Sequence, residues 1–438
     1  MRRRKDKMSL DKFITQVLNI KEDDLGEILP IEQSDGTLVI KLKLRYHPTS
    51  CPFCKQKAKI HWYYPRRLVH STLVNRKCVI IYQQRRYRCE ECDITFHEQN
   101  PFINTKENLT YETKINVLRD LKWPESTYTS VAKRYGLSKT KVLRIFEQHV
   151  NIPRKPLPEI LSLDEHYFPE SDYESLYCCL LMNFQTGELV DLLPDRKKFY
   201  LMHYLSNIKK DTLNHETLKS ELDNVKYISI DLFDNFRDLA RIYFPAAIVC
   251  ADSFHVLQHL TKDFRDVRLR CRRNTDNKIL AYLLTKFKFV FHRQTQLDNA
   301  PRYNKLLRTN VNYRDIRDLL FENFPDLRTA YELKEFYIAF NESSSLENAT
   351  EKLADVMARF ADAGIPEYDE FYTLLMNWSK EIVNSFTVIN GVRINNSYIE
   401  SKNRQLEKIL YNANGFTNFK RTRNRILYCL NKADSYTI

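Results

Sequence analysis

Three apolar, strand-like stretches of this sequence run into an acidic residue. LSLDEHYF at 161–168 carries Asp164, VKYISID ends on Asp231, and IVCADSFH reaches Asp252. Carboxylates of like charge that are brought together need a cation between them, and hard oxygen ligands favour Mg²⁺ or Mn²⁺. Two such ions activate a water or hydroxyl group and stabilise the leaving oxygen in phosphodiester chemistry. The residue types therefore predict metal-dependent phosphodiester cleavage.

The chain from Glu159 onward has the pattern of an α/β domain. LSLDEHYF, SLYCCLLMNF and ELVDLLP are predicted as three antiparallel strands, the last two joined by a hairpin at 185–188. A helical region, roughly 198–222, leads to VKYISID, and a further helix leads to the fifth strand, AAIVCAD. This is the order of a ribonuclease H-like core, in which the ends of the first and fourth strands are neighbours. We therefore expect Asp164 and Asp231 to lie side by side.

A third carboxylate is expected near this pair, from a helix packed on the sheet. The basic helical segment NSYIESKNRQLEKILYNANGFTNFKRTRNRIL carries Glu400, which is the predicted third acid. Glu407 lies deeper in the same helix among basic residues and is the poorer candidate. Glu165 and Asp234 remain the alternatives to the two aspartates.

An acid at the end of a strand has a second ordinary use, since it can cap the following helix. For Asp231 the metal role is favoured, because capping does not require a matching Asp164 on a neighbouring strand. For Asp252, capping and support of the site remain equally open. His255 and His259 have the i, i+4 spacing of a helical metal site, yet we favour a buried histidine hydrogen-bonded to Asp252.

Four of the ten cysteines form two CxxC pairs, CPFC and CEEC, separated by 34 residues. Each CxxC turn directs two sulfurs at one ion, so the pairs can close a tetrahedral zinc site. The predicted zinc ligands are Cys51, Cys54, Cys89 and Cys92. The strand-like runs LVHSTLV and CVIIYQQRRYRC lie between the pairs and suit a small zinc ribbon that needs its metal to fold.

The segment STYTSVAKRYGLSKTKVLRIFEQHV fits a helix-turn-helix, with Gly136 in the turn and Ser138 as the cap of the second helix. Four apolar residues are predicted to face inward: Val131, Ala132, Val142 and Ile145. In such units the second helix enters the major groove. The predicted DNA-binding residues are Ser138, Lys139, Thr140, Lys141 and Arg144.

The charge balance favours a polyanionic partner. The chain has 69 Lys and Arg against 56 Asp and Glu, a net charge of +13, and excess positive charge is attracted to phosphate backbones. Three arginines of the second strand-like run, whose members are Arg85, Arg86 and Arg88, are either a solvated strand face or phosphate contacts. These two alternatives are equally open.

Membrane insertion and secretion are not expected. No apolar run approaches the roughly 18 residues of a membrane span, and the opening MRRRKDKMSL has no apolar core behind its basic start. We therefore expect a cytoplasmic protein, in which thiols stay reduced and paired cysteines are metal ligands before they are disulfides.

Long helical patterns fill the chain between His255 and Glu400 and predict an all-α insertion into the core. Its start is strongly basic, with Arg265, Arg268, Arg270, Arg272 and Arg273. Contact with flanking DNA is slightly favoured there over a solvated helix face. The predicted organisation is an N-terminal segment (1–45), a zinc ribbon (46–105), a helix-turn-helix domain (106–152), a first part of the core (158–258), the helical insertion (259–390) and a C-terminal helical part of the core (391–438).

These landmarks, taken together and in order over about residues 50–430, resemble those of the ISL3 family of bacterial insertion-sequence transposases. The carrying segments are CPFC with CEEC, the helix-turn-helix, LSLDEHYF, ISIDLFDNFRDLARIYFPAAIVCADSFHV and the segment that contains Glu400. The resemblance implies a DDE triad, which matches Asp164, Asp231 and Glu400. It also implies a supporting signature near the active site, which matches Asp252-Ser-Phe-His255.

We therefore expect a transposase that binds the terminal repeats of its element and catalyses metal-dependent DNA cleavage and strand transfer. Its expected partners are double-stranded DNA of the element ends and of the target. The resemblance implies a homodimer or a larger assembly on DNA. The alternatives are a non-enzymatic DNA-binding regulator, a structure-specific nuclease on the same core, and a domesticated, inactive derivative. A regulator leaves the three acids unexplained, and a nuclease does not need so long a DNA-reading N-terminus.

Overall fold

A computed structural model of the protein describes residues 15, 18–73, 76–104, 107–168, 175–413, 418–432 and 436–437. The basic opening at 1–14, which begins the predicted N-terminal segment, lies outside the described residues. Among the residues described, no helix is long and apolar enough to cross a membrane. The chain divides into two compact units, one of residues 1–153, 405–416 and 420–438 and the other of residues 154–404 and 417–419.

A five-stranded sheet forms the first part of the first unit. Its strands are β1 (Leu25–Glu32), β2 (Leu38–Leu44), β3 (Lys59–Leu73), β4 (Arg76–Arg88) and β5 (Thr95–His97). They lie in the order β1-β2-β4-β3, with β5 paired to β4. Strands β2 and β4 are parallel, and the other pairs are antiparallel. Alternate apolar side chains of β2 and β4, such as Ile40, Leu42 and Ile80, are buried in one core, as a half-buried sheet requires.

Arg85 of β4 points into this unit, so both sequence interpretations are wrong for it. Its side chain is 2% exposed, and its guanidinium pairs with Glu98 at 2.5 Å and donates to the carbonyl of Leu44. Arg88 by contrast is exposed and pairs with Asp93 at 2.6 Å. Arg85 therefore joins β4 to the segments beside it and is not available to phosphate.

Three capped helices follow in the first unit: α1 (Tyr111–Leu121), α2 (Tyr128–Tyr135) and α3 (Lys139–His149). Ser138 caps α3, where its hydroxyl accepts a hydrogen bond from the backbone N–H of Lys141. Gly136 ends α2 with φ of 64°, a left-handed conformation that suits glycine. The four apolar residues predicted to face inward are buried: Val131, Ala132, Val142 and Ile145.

The sheet of the second unit combines antiparallel and parallel pairs. Its strands are β6 (Ile160–Tyr167), β7 (Tyr177–Asn183), β8 (Glu188–Leu193), β9 (Tyr227–Ile230) and β10 (Ile248–Ala251). The order is β10-β9-β6-β7-β8. Strands β6, β7 and β8 are antiparallel, whereas β9 is parallel to both β6 and β10. The first and fourth strands of this unit are therefore neighbours.

The helices that follow are α4 (Lys198–Asp211), α5 (Asp234–Tyr243), α6 (Ser253–Arg273), α7 (Lys278–Lys286), α8 (Tyr313–Asn323), α9 (Pro325–Ser343), α10 (Ala349–Asp362), α11 (Asp369–Asn384), α12 (Ser397–Ala413) and α13 (Phe419–Leu430). Two short hairpins pair β11 (Arg302–Asn304) with β12 (Thr309–Val311) and β13 (Val388–Ile389) with β14 (Val392–Arg393). One hydrophobic core runs from sheet residues such as Ile228 through Val256 and Leu260 of α6 to Tyr337 and Phe371. Helices α7 to α11 therefore share the core of the sheet.

Candidate functional site

The parallel pairing of β6 and β9 brings two aspartates together. Ser162 is opposite Ser229 in the register, so Asp164 and Asp231 come level two residues further on. Their carboxylates are within 4.8 Å of each other, and the two residues are only 4% and 8% exposed. Asp231 directly follows β9, as the sequence suggests, but Asp164 lies inside β6, where it is opposite Leu180 of β7.

Asp252 and His255 join this pair from the start of α6. Asp252 caps the helix, since its carboxylate accepts from the backbone N–H of Phe254. Nε2 of His255 is 3.1 Å from Oδ1 of Asp231 and 3.8 Å from Oδ2 of Asp252. The histidine is thus closer to Asp231 than to its expected partner, and Asp252 both caps α6 and faces the site.

Asp231 does not cap the helix that follows it. The N-cap of α5 is Phe233, which makes no side-chain cap, so the capping alternative is wrong for Asp231. The alternative acids have other partners: Glu165 pairs with Arg196, and Asp234 pairs with Arg237 at 2.6 Å. Neither belongs to a cluster of potential metal ligands among the residues described.

Glu400 approaches the same site from the first turn of α12. Its carboxylate lies within 4.8 Å of ligand atoms of both Asp252 and His255. His255 also belongs to the group formed with Asp164 and Asp231, so the imidazole joins two overlapping sets of ligands. Arg404, one turn along α12, has its guanidinium 3.9 Å from the Glu400 carboxylate.

Two asparagines that sequence reasoning did not assign to the site hold its carboxylates. The side-chain amide of Asn396, which is fully buried, donates to Oδ1 of Asp231 at 3.2 Å, and its backbone N–H donates to Asp252 at 3.2 Å. Asn403 donates from Nδ2 to Oδ2 of Asp164 at 2.5 Å. The signal was in the spacing, because residues 396, 400 and 403 fall on one face of a helix.

Burial and mutual repulsion raise the pKa values of the carboxylates of this site. Burial, followed by the negative charge of Asp231, raises the pKa of Asp164 to about 9. Burial also raises the pKa of Asp231 to about 7 and raises the pKa of Asp252 and of Glu400 above its ordinary value. A nearby cation reverses this effect, because it favours the charged form.

The donor set fits a divalent cation. Oδ2 of Asp252 and Oε1 of Glu400 are buried and accept no hydrogen bond from the described part of the chain, although a buried carboxylate oxygen normally has a partner. Four carboxylates and one imidazole offer mainly hard oxygen ligands, which suit Mg²⁺ or Mn²⁺.

Comparison with known families decides the identity. The sequence profile of the DDE-type ISL3 family, described as "Transposase", matches residues 161–426. The chain belongs to this family of insertion-sequence transposases. The matched region runs from β6 into α13 and contains all four acids and the histidine of the site. A comparison with curated proteins found no match.

The transposase also carries a second group of potential metal ligands, in its first unit. The sulfurs of Cys51, Cys54, Cys89 and Cys92 all lie within 4.8 Å of one another. The Sγ atoms of Cys54 and Cys89 are 3.4 Å apart, close to the roughly 3.8 Å edge of a tetrahedron with zinc–sulfur bonds of about 2.3 Å. The four thiols are not in disulfides, so the geometry fits one zinc ion.

The backbone of each CxxC turn is folded to present its sulfurs. Lys55 and Asp93, which follow the two turns, have φ of 63° and 50°, and such left-handed residues reverse the chain. Burial works against ionisation of Cys51, but the backbone N–H groups of Cys54 and Phe53 point at its sulfur and lower the pKa of Cys51 to about 7. A thiolate is the form that binds a metal.

The start of α3 in the transposase is open to a partner. Ser138, Lys139, Thr140 and Arg144 are exposed, and Lys141 is half-buried. Lys139, Lys141 and Arg144 form no ion pair with any residue that the structure describes. Their charges are therefore not neutralised within the described chain.

Proposed function

We propose that this transposase binds the terminal repeats of its insertion sequence and cleaves and joins DNA strands at a site made by Asp164, Asp231 and Glu400. The observation that carries the proposal is that acids from β6, the end of β9 and α12, far apart in sequence, belong to two groups of potential metal ligands that share His255. A purely structural arrangement would avoid burying Asp164 and Asp231 together, because unpaired buried carboxylates are costly.

A ribonuclease H-like catalytic core is the architecture that we propose for the second unit. The sheet order β10-β9-β6-β7-β8, with three antiparallel strands and two parallel ones, supports it. The helices between α6 and α12 then form the insertion domain that separates Glu400 from the two aspartates. The first unit supplies the zinc-binding and helix-turn-helix parts, which we assign to DNA recognition.

Asp164, Asp231 and Glu400 would hold the catalytic cations, with Asp252 and His255 in support. Divalent cations bound there would activate the attacking water or 3′-hydroxyl and stabilise the leaving oxygen of the phosphodiester. Asn403 and Asn396 fix the carboxylates of Asp164 and Asp231 in one orientation, so that little reorganisation is needed when charge develops.

His255 lies where it can exchange a proton with an acid of the site. Its Nε2 lies 3.1 Å from Oδ1 of Asp231, and its side chain is 29% exposed, so it contacts both an acid of the site and solvent. In this position the imidazole can share a proton with Asp231 and donate it toward a departing oxygen.

Recognition of the element ends is assigned to α3 and the four-cysteine module. The exposed basic start of α3 would read base edges in the major groove, while the net charge of +13 favours double-stranded DNA of both ends and target. Pairing of two ends implies a dimer or a larger assembly on DNA. A regulator or an inactive derivative has no use for the complete set of acids, which favours the enzyme.

The direct test uses purified full-length protein and labelled duplex DNA that carries the ends of the element. With Mg²⁺ we expect nicks at the boundary of the element that expose a 3′-hydroxyl, and we expect no nicks with EDTA. DNA that lacks the ends is the control. Specific binding without any nicking in Mg²⁺ or Mn²⁺ would favour the DNA-binding regulator instead.

A further inference from the structure

A basic cleft runs along α6 of the second unit, beside the candidate active site. Its volume is about 730 Å³, and its wall includes Phe254, the neighbour of His255. None of the described residues that line it is acidic, and six are basic: Lys262, Arg265, Arg268, Lys288, Arg293 and Lys334. From Phe254 to Arg268 the helix rises roughly 21 Å, at about 1.5 Å per residue. The cleft is therefore a long basic path that begins next to the acids.

Arg268 lacks a negative partner although it is buried. It is 9% exposed, and its Nη1 donates to the carbonyl of Leu284 at 2.6 Å, but no carboxylate among the described residues pairs with it. Burial and the positive charges of Arg272 and Arg265 lower the pKa of Arg268. A buried charge without a counter-charge is costly, so this guanidinium points to an anion from outside the chain.

Two of the other basic residues of the cleft already have partners, since Arg293 pairs with Glu335 and Glu342 and Lys334 pairs with Glu335. The remaining three are available to an anion. Lys262 and Lys288 are exposed and form no ion pair with residues that the structure describes. Arg265 pairs only with the adjacent Asp266, at 3.2 Å. By contrast, Arg270 on the same helix is bound to Glu367 and Asp326. Arg270 therefore has a structural role, whereas Arg265 and Arg268 can bind an anion from outside the chain.

The floor of the cleft is apolar, which distinguishes between kinds of nucleic acid. Leu257, Phe264, Phe291 and Ile338 contribute to its lining, and Phe254 is 45% exposed at the end near His255. A duplex hides the faces of its bases within the stack and could not use such a floor. The exposed ring of Phe254 can stack on a base of an unpaired strand, whose phosphates would lie along the basic rim.

We propose that this cleft binds an unpaired DNA strand that continues from the reacting phosphate at the candidate active site. The proposal rests on the proposed function and adds to it a path for the strand on the far side of the cut. The cleft would hold this strand while the cut end remains at the acids.

Binding of fluorescent single-stranded and duplex end DNA to the full-length protein in EDTA tests this proposal. The variant Lys262→Gln/Lys288→Gln removes two charges of the rim, and Lys278→Gln/Lys305→Gln removes two exposed charges outside the cleft. We expect the first variant to bind the single strand roughly tenfold more weakly and to lower the slope of log affinity against log salt by about 1.4, at about 0.7 per phosphate contact. Its affinity for the duplex should change less than about twofold, and so should the affinities of the control variant for both kinds of DNA.

The same measurement separates the possible failures. Equal loss in both double variants, or an unchanged salt slope, would overturn the cleft as a binding site. An equal loss of affinity for the single strand and for the duplex would overturn the assignment to an unpaired strand. A selective loss on the single strand in a protein that nicks no DNA would support the cleft and contradict the proposed function. Unfolding temperatures equal to that of the unmodified protein check that both variants fold.

Phe254→Ala gives an independent reading of the apolar floor. A ring that stacks on a base contributes to affinity but releases no counterion. The variant should therefore weaken binding of the single strand at every salt concentration while it leaves the salt slope unchanged. Unchanged affinity would contradict the role of the floor in holding bases.

Discussion

At the scale of single residues, the site combines carboxylates whose pKa values are raised with side-chain amides that hold those carboxylates in place. Asp164 has its pKa raised to about 9 and Asp231 to about 7, in each case first by burial. Asn403 and Asn396 nevertheless fix both side chains. Burial of these acids therefore lowers the stability of the metal-free protein, and a bound cation would raise it.

The first prediction concerns stability against pH without metal. Burial, followed by the charge of Asp231, raises the pKa of Asp164 from 3.8 to about 9 in the folded protein. Its contribution to stability is therefore complete below about pH 4 and is lost as the pH rises toward 9. In EDTA the melting temperature should therefore fall more steeply with pH for the unmodified protein than for Asp164→Asn. Asp234→Asn, at an exposed acid, should follow the unmodified protein. Parallel curves for the unmodified protein and Asp164→Asn would contradict this account.

The second prediction concerns Asn403 as a positioning residue. Asn403→Ala removes the donor to Asp164, and loss of a group that orients a metal ligand typically costs about 10–100-fold in affinity or activity. We expect nicking to fall by about this factor, with partial recovery at high Mg²⁺ concentration. Asn412→Ala, further along α12, is the matched control. A loss that Mg²⁺ does not relieve would indicate a general structural role.

At the scale of elements, strand order and capping could be predicted from the sequence, whereas long-range side-chain partners could not. The neighbouring positions of Asp164 and Asp231 follow from the succession of strands, and Ser138 and Gly136 lie where local cap and turn chemistry predicts. The burial of Arg85 depends on β2 and Glu98, and no local pattern encodes that. The contacts of Asn396 likewise depend on segments more than 140 residues away.

The third prediction concerns the four-cysteine module. Metal analysis of reduced, freshly purified full-length protein should give one zinc ion per chain. Cys89→Ser should lose the zinc and destabilise the module, because metal binding contributes much of the folding free energy of so small a unit. Cys78→Ser, at a buried thiol outside the cluster, should keep the zinc. An unmodified protein without zinc would refute the assignment.

The fourth prediction separates reading of bases from attraction to phosphate at α3. Replacing Lys139, Thr140 and Lys141 by Ala should weaken binding to element ends and lower discrimination against random DNA by roughly tenfold, since the start of a recognition helix reaches base edges. The control variant Arg119→Ala/Lys133→Ala removes two exposed charges from α1 and α2. It should lower the affinity for element ends and the affinity for random DNA by the same factor. An unchanged specificity ratio at fixed salt would move recognition to the four-cysteine module.

At the scale of the whole molecule, the acids of the site come from positions spread over more than two hundred residues of sequence. Asp164, Asp231 and Glu400 come from β6, the end of β9 and α12, with the helices of the proposed insertion between the last two. The order of these landmarks, and not any one of them, carried the family resemblance. The exact ligand grouping could not be predicted, because it depends on where α6 begins and how α12 approaches the sheet.

The central claim is that Asp231 is a metal ligand, and nicking of end DNA by Asp231→Asn tests it most directly. Asn keeps the shape of the side chain but removes a negative ligand, so Mg²⁺-dependent nicking should collapse while binding of end DNA survives. Asp164→Asn and Glu400→Gln should behave alike, and combining them should add little, because they act as one unit. Asp234→Asn should nick normally. Near-normal nicking by folded Asp231→Asn protein would contradict the account.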